Sequence, residues 1–355
     1  MKAVDNRIDE QLRDALRRVT TGGMFSSQEM SEIVALLMEA DLSREPFPQL
    51  AGAFICSLKT RGETPDEIFG AAECLRAHQI SIRIPAPGGV LMDTCGTGGD
   101  GAHLINISTI TGLVLASLGV PIAKHGNRSV SSSCGSADLL EGMGYPLHNC
   151  QSVVSKIVQE TGFGFLFAPH FHPALKNLSG LRRTLGVRTM FNMLGPLVNP
   201  AGVNYQLIGV FDRAIVTPIA RAAAKLGLKR CLVVHGEGGL DELSPQGVTW
   251  ASLAEGDELT ELEWRPENFG ASPMPLDALR GGNVKENVAK TEELFRGRSP
   301  EAAGAVAMNC AACLWLVERV ETLAEGYQMS LEALMSGKVG QYFEDCRAFA
   351  VQSSL

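Results

Sequence analysis

No stretch of the chain is long and apolar enough to span a bilayer, and the opening residues, Met1-Lys2-Ala3-Val4-Asp5, lack the apolar core of a signal peptide. A cytoplasmic protein is expected, with no membrane partner. Basic charge is not in excess: 31 Lys and Arg stand against 39 Asp and Glu, a formal net charge of −8. That balance is unfavourable for tracking a polynucleotide backbone, so any phosphate the chain binds is expected to be small, and no nucleic acid is expected as a partner. A disulfide framework is also missing. The nine cysteines are odd in number, scattered, and mostly in apolar company, which suits reduced, buried thiols. The one C-x-x-C pair, Cys310 and Cys313, has no second pair and lies in an alanine-rich helical run, so packing is expected of it rather than zinc or redox work. Internal repeats and low-complexity segments are absent.

At 355 residues the chain exceeds the usual limit of one core, so two domains are expected. The first eighty residues read as helices only. Ile8, Leu12, Leu16 and Val19 form one apolar stripe that ends at Gly22-Gly23, and Ser26 with Glu29 predicts a capping box before Met30, Ile33, Val34, Leu37 and Met38. Thr64, Pro65 and Glu67 supply N-cap, first-turn proline and capping-box partner for another helix, on which Ile68, Ala72 and Leu75 face inward. Residues 85–89, Pro-Ala-Pro-Gly-Gly, break the pattern as a stiff connection.

Beyond it, short apolar strands at 90–93, 121–124, 163–167, 205–211 and 231–235 alternate with helical segments. This predicts an α/β fold: a mostly parallel sheet flanked by helices, behind a small all-helical N-terminal domain. Residues 248–251 and 258–264 read as a hairpin bridged by Gly256-Asp257, and the remainder as helical. In such a sheet, functional loops gather at the carboxyl ends of the strands. Four polar segments follow strand ends here: the glycine-rich 96–101, Lys124-His125, Ala168-Pro169, and residues 236–242.

The first of these is the most informative. Asp93-Thr94-Cys95-Gly96-Thr97-Gly98-Gly99-Asp100-Gly101 runs from a strand end through four glycines, and Asn106, Ser108 and Thr109 open the next helix. Glycines admit positive φ and let the backbone approach a ligand, while free N–H groups at a helix start favour an anion. No Lys-Ser/Thr pair closes the loop as in a P-loop, and its spacing does not match Gly-x-Gly-x-x-Gly. Alone, it reads best as an ordinary tight turn between strand and helix. A second polar segment changes that: Lys124-His125-Gly126-Asn127-Arg128-Ser129, then Ser131-Ser132-Ser133-Cys134-Gly135-Ser136-Ala137-Asp138.

Together these segments resemble the anthranilate phosphoribosyltransferases, whose pattern is Gly-Thr-Gly-Gly-Asp-Gly, Asn-x-Ser-Thr and Lys-His-Gly-Asn-Arg. The resemblance continues through His172-Pro173-Ala174, Arg182-Arg183-x-Leu185-Gly186, Phe191-Asn192-x-Leu194-Gly195-Pro196-Leu197-x-Asn199-Pro200, and His235-Gly236 with Leu240-Asp241-Glu242. It covers about residues 5–350 and is strongest from 93 to 242.

The resemblance implies a helical domain of residues 1–85 with roughly 172–194 packing onto it, and a donor-binding domain of 86–171 and 195–355. It implies a homodimer through the helical domain. It also implies transfer of the phosphoribosyl group from phosphoribosyl pyrophosphate to anthranilate, in tryptophan biosynthesis, with Mg²⁺. Such a reaction must stabilise departing pyrophosphate with N–H groups, hydroxyls, a cation and metal, not with a nucleophilic side chain. Gly96, Thr97, Gly98, Gly99, Asp100, Asn106, Ser108, Thr109, Lys124 and Ser136 match the donor-binding positions, and Arg128 matches another phosphate-side position. Ser131–Ser133 read equally well as turn and cap residues. Adjacent carboxylates on a loop are commonly just solvated; in this context Asp241 and Glu242, with Ser108, match metal positions. Gly96, His125, Asn127, Pro169, His172 and Arg182 match acceptor positions, with the planar Arg182 fork suited to the anthranilate carboxylate and Arg183 read as an exposed helix arginine. No residue is assigned as nucleophile or essential base.

One departure stands out: Leu104, after His103, occupies a position where the family has Thr. Two other classes compete. A pyrimidine-nucleoside-phosphorylase-like enzyme resembles Lys-x-Ser-Thr-Gly-Gly-x-Gly at the loop and carries an extra C-terminal domain, whereas Thr94-Cys95 offers no such lysine and the chain is short. A non-catalytic paralogue that binds nucleic acid conflicts with the acidic balance and with the Asp241-Glu242 pair.

Overall fold

The computed structural model describes residues 2–39, 44–99, 101–129 and 133–353. By its internal contacts the chain divides into two units, one made of the chain up to Ile80 with Pro169–Val198, the other of Ser81–Ala168 with Asn199–Leu355. The first is built of helices Lys2–Thr20, Ser27–Glu39, Phe47–Arg61, Pro65–Ala77 and Lys176–Leu185, with shorter turns. Leu12, Ala15 and Val19 form the buried stripe of the first helix. Ser26 and Glu29 cap the second reciprocally, at 3.2 and 2.8 Å. Thr64 and Glu67 do the same at Pro65–Ala77. The Glu67 carboxylate, fully buried, also accepts from the Phe25 N–H at 2.9 Å and pairs with Arg61, so one cap residue ties three segments together. Caps of this kind contribute about 1 kcal/mol each.

The second unit carries seven strands: β1 (Met92–Gly96), β2 (Ile122–Gly126), β3 (Phe163–Phe167), β4 (Tyr205–Gly209), β5 (Arg230–Gly236), β6 (Thr249–Glu255) and β7 (Glu258–Trp264). They form one sheet in the order β3-β2-β1-β4-β5-β6-β7. β1 to β5 are parallel; β6 and β7 add an antiparallel hairpin edge. The parallel strands are buried along nearly their whole length, polar residues included, because helices cover both faces. The helix Pro300–Leu316 is apolar on every side and accordingly buried from Ala302 to Leu314, with Cys310 and Cys313 fully inaccessible within it.

Strand existence follows the sequence pattern, but strand ends do not. β1 and β2 run on to Gly96 and Gly126, beyond the ends expected at 93 and 124, and β4 stops at Gly209 rather than 211. Ladder pairing decides this: Gly96 pairs with Gly209, and Gly126 with Phe167, so residues that look like turn formers are held in the sheet by their neighbours. The hairpin's first strand likewise extends through Glu255. Before the closing helices, 3₁₀ turns occupy Pro266–Phe269 and Leu276–Leu279, where continuous helix was expected. Residues 81–84 belong with the sheet unit: the Ile82 N–H donates to Pro200 O at 3.0 Å and Ser155 Oγ to Arg83 O at 3.0 Å.

Candidate functional site

The glycine loop leaves the end of β1 and is held at both ends. Thr97 N–H donates to Gly209 O at 2.9 Å, and Thr97 Oγ1 accepts from the Phe211 N–H at 3.2 Å. Gly98, Gly99 and Gly101 have φ of 68°, 72° and 77°, the left-handed region that side chains disfavour. Gly98 N–H donates to Asp241 Oδ2 at 2.7 Å. A Cβ on Gly96 would stand 2.3 Å from that same oxygen, which explains the glycine there. Asp100 lies outside the described residues, as do Ser131 and Ser132.

The helix Ile107–Ser117 begins immediately afterwards, with Asn106 at its N-cap. Its first-turn N–H groups were expected to be open to an anion. Ser108 N–H instead donates to Glu242 Oε1 at 3.0 Å, because a carboxylate within reach of a helix N-terminus takes its orphan donors. Thr109 N–H is committed to Asn106 O at 3.0 Å, and the Thr109 side chain is fully buried. Asn106 turns its amide to Cys134 O at 3.1 Å. Consecutive residues 241 and 242 thus reach two different anion-seeking donors. Their backbone is pressed against strand ends where only glycine fits: a Cβ on Gly209 would meet Asp241 O at 1.5 Å, and one on Gly236 would meet Glu242 O at 2.6 Å.

Lys124, in β2, is 1% exposed; its ammonium donates to Thr94 O and lies 3.5 Å from Ser108 Oγ, beside the same helix start. Thr94 Oγ1 donates in turn to Ser108 O at 2.8 Å, so strand, lysine and helix are locked together. Beneath them sits Asp93, a fully buried carboxylate that sequence reading did not single out. Burial pushes its pKa up, and the Lys124 charge together with hydrogen bonds from Asn199 and the His125 N–H oppose that rise. Asn199 Nδ2 donates to Asp93 Oδ2 at 2.8 Å and His125 N–H to Oδ1 at 3.2 Å, so Asp93 fixes the backbone next to the lysine it balances. The signal available in the sequence was a charged residue inside an apolar strand, Leu91-Met92-Asp93-Thr94-Cys95.

The second loop has the same internal logic. His125 is 7% exposed in β2, while Asn127 and Arg128 lie exposed beyond the strand. Ser136 Oγ donates to Asn127 O at 3.2 Å, and Asn127 Oδ1 accepts from the Arg128 N–H at 2.7 Å. Arg128 bridges to Asp138 at 3.1 Å and to Glu141, so its guanidinium is tied within the loop. Asp138 also accepts from the N–H of Ser129 and of Gly135, at 3.0 and 2.9 Å. Leu104 lies in a short backbone bridge to Arg280, flanked by Ile105 N–H to Leu279 O at 2.9 Å and Gly281 N–H to His103 O at 2.6 Å. That pairing, with packing against the core, occupies the position where a hydroxyl was expected by resemblance.

Three candidates belong to the helical unit. Pro169 is exposed in the short helix Ala168–Phe171. His172 follows it, 6% exposed, and burial lowers its pKa to about 4, so the imidazole is neutral at pH 7. Arg182 lies in the last turn of Lys176–Leu185, half-buried, where desolvation lowers its pKa; its neighbour Arg183 is exposed. Among the described residues Arg182 has no ion-pair partner, in contrast to Arg128.

Asp241 and Glu242 offer hard oxygen donors. Among the described residues no group of three or more His, Cys, Asp or Glu gathers to hold a metal. A pair of carboxylates is the kind of hard oxygen donor that Mg²⁺ takes alongside waters and phosphates. No helix among the described residues is long and apolar enough to cross a membrane.

Comparison with known proteins gives consistent matches. Residues 13–79 match the glycosyl transferase family helical bundle domain, and residues 88–339 the glycosyl transferase family a/b domain. The anthranilate phosphoribosyltransferase of Persephonella marina is 38% identical over 340 residues, 96% of this chain and 99% of that one. Among solved structures, the anthranilate phosphoribosyltransferase of Thermus thermophilus superposes with a TM-score of 0.86 at 39% identity, covering 95% of this chain and 99% of that one. The Saccharomyces cerevisiae enzyme, solved in complex with PRPP and Mg, superposes with a TM-score of 0.85 at 27% identity, covering 96% and 98%.

Proposed function

Because the chain belongs to the anthranilate phosphoribosyltransferase family, we propose that it transfers the phosphoribosyl group of phosphoribosyl pyrophosphate to anthranilate, giving N-(5-phosphoribosyl)anthranilate and pyrophosphate in tryptophan biosynthesis. One observation carries the reading to this chain's own residues: the Ser108 N–H and the Lys124 ammonium stand at one helix start, and the paired carboxylates 241 and 242, in the loop after β5, accept from the N–H groups of Gly98 and Ser108.

In the reaction the bond from C1 of the ribose to pyrophosphate oxygen breaks, the ring gains oxocarbenium character, and the amine lone pair forms the new C–N bond. The amine proton then leaves to solvent; an aromatic amine is neutral at pH 7 and needs no base to start. The developing charge lies on the departing pyrophosphate. Backbone N–H groups of Gly98, Gly99 and Ser108 receive it in this reading, with Lys124 as the cation; Gly96, Thr97, Asp100, Asn106, Thr109 and Ser136 shape the same donor site. Preorganised donors and a buried ammonium act more strongly there than they would in water. Asp241, Glu242 and Ser108 would hold Mg²⁺, which when bound neutralises diphosphate oxygens and eases their departure. On the acceptor, Arg182 pairs its planar fork with the anthranilate carboxylate, and a neutral His172 adds no competing charge. Gly96, His125, Asn127 and Pro169 complete the acceptor assignment.

The test follows anthranilate fluorescence in purified protein with phosphoribosyl pyrophosphate and Mg²⁺. Fluorescence is expected to fall only when both donor and metal are present. A folded protein that leaves anthranilate unchanged under those conditions overturns the reading.

A further inference from the structure

The donors assigned above to pyrophosphate already carry carboxylates. Gly98 N–H, on a left-handed glycine, holds Asp241 Oδ2 at 2.7 Å, and Ser108 N–H, in the first turn of an eleven-residue helix, holds Glu242 Oε1 at 3.0 Å. Both are groups that a loop and a helix dipole turn toward anions. The placement of the two carboxylates is built in. Strand-end glycines 209 and 236 admit the backbone of residues 241 and 242 at distances no side chain allows, and Gly96 leaves room for the Asp241 carboxylate.

This geometry has a consequence for which anions enter. A bare phosphate or diphosphate meets two negative groups on the donors it needs, and displacing them costs two charge-assisted hydrogen bonds and brings like charges together. An anion that brings a divalent cation meets no such obstacle, since the carboxylates gain the cation as they release the N–H groups. We infer that Asp241 and Glu242 are specificity determinants: they hold the Gly98 and Ser108 N–H groups against metal-free anions and yield them only to a diphosphate carrying a divalent metal. The inference rests on the donor-site reading above and goes past metal ligation, because it assigns the two side chains an excluding role when metal is absent.

The two roles predict different outcomes. If the carboxylates only ligate metal, removing their charge leaves metal-free binding unchanged. If they also exclude, removing it creates an anion site. The probe is inorganic pyrophosphate, titrated by calorimetry into the full-length protein in excess chelator and, separately, in Mg²⁺. Wild type is expected to bind it much more weakly in chelator than in Mg²⁺. The double variant Asp241→Asn with Glu242→Gln is expected to bind metal-free pyrophosphate at least tenfold more tightly than wild type, and to gain little from Mg²⁺. Unchanged or weaker metal-free binding by a folded double variant overturns the inference while leaving the donor-site reading intact. Should wild type bind no pyrophosphate even with Mg²⁺, the donor-site reading falls and takes the inference with it. If the double variant does not fold, Glu242→Gln alone carries the same comparison, with a gain of at least threefold expected and no gain overturning the proposal.

Discussion

Arg182 and His172 separate two kinds of buried nitrogen. Arg182 stays charged whatever its surroundings, and a desolvated fork without an ion-pair partner among the described residues is suited to an incoming carboxylate. Such a bond contributes about 1.5–3 kcal/mol, so Arg182→Ala is expected to raise KM for anthranilate roughly 10- to 100-fold while KM for phosphoribosyl pyrophosphate barely moves. Equal rises in both constants would remove Arg182 from the acceptor. His172 makes a stability prediction instead. Its pKa falls from 6.5 to about 4 on folding, so the unfolded chain binds the extra proton between those values. The contribution is therefore fully present above pH 6.5 and is lost as pH falls through 4, to a total of about 3 kcal/mol. Urea unfolding of wild type and His172→Leu at pH 4 to 7 checks this: the variant's curve against pH is expected to be flatter, and parallel curves would place the titration on another group.

At the scale of elements, glycines at strand ends govern how the carboxylate segment meets the sheet, and two of them predict different phenotypes. At Gly96 an added Cβ meets the movable end of the Asp241 side chain at 2.3 Å; at Gly209 it meets the Asp241 backbone oxygen at 1.5 Å. Gly96→Ala is thus expected to cost little stability but to lower kcat at least tenfold by turning Asp241 aside. Gly209→Ala forces a backbone shift and is expected to cost at least about 1–3 kcal/mol, read as a fall in Tm. Similar Tm values for the two would show that the segment is pliant. The sequence carried the element types well, since the α/β alternation, the capping boxes at Ser26 and Thr64 and the hairpin at Gly256-Asp257 are local patterns. Strand ends were less legible because Gly96 and Gly126 signal a turn locally and are overruled by partners far along the chain. The site divides the same way. Gly98, Ser108, Lys124 and the 241–242 pair stand out as motifs, whereas Asp93 acquires its meaning from Asn199 and Gln206, 106 and 113 residues away. Nor does any local pattern reveal that Glu242 sits on the Ser108 N–H.

The whole molecule has an acidic balance, so in the proposed reading the binding of a small phosphate rests on local donors and not on a basic surface. We propose that it works in the cytoplasm as a homodimer through the helical unit; light scattering is expected to give twice the 37.9 kDa chain mass, and the mass of one chain would refute it. The division of the chain has a further consequence, for biosynthesis. The helical unit needs both the chain up to Ile80 and Pro169–Val198, where Asn177 Nδ2 donates to Met38 O at 3.0 Å and Arg76 Nε to Leu197 O at 2.9 Å. Its opening helices therefore leave the ribosome with part of their apolar surface uncovered. At translation rates of about 5–20 residues per second, on the order of ten seconds pass before the covering segment emerges. During that wait the uncovered apolar surface is of the kind that favours aggregation, and slow codons ahead of Pro169 would lengthen its exposure.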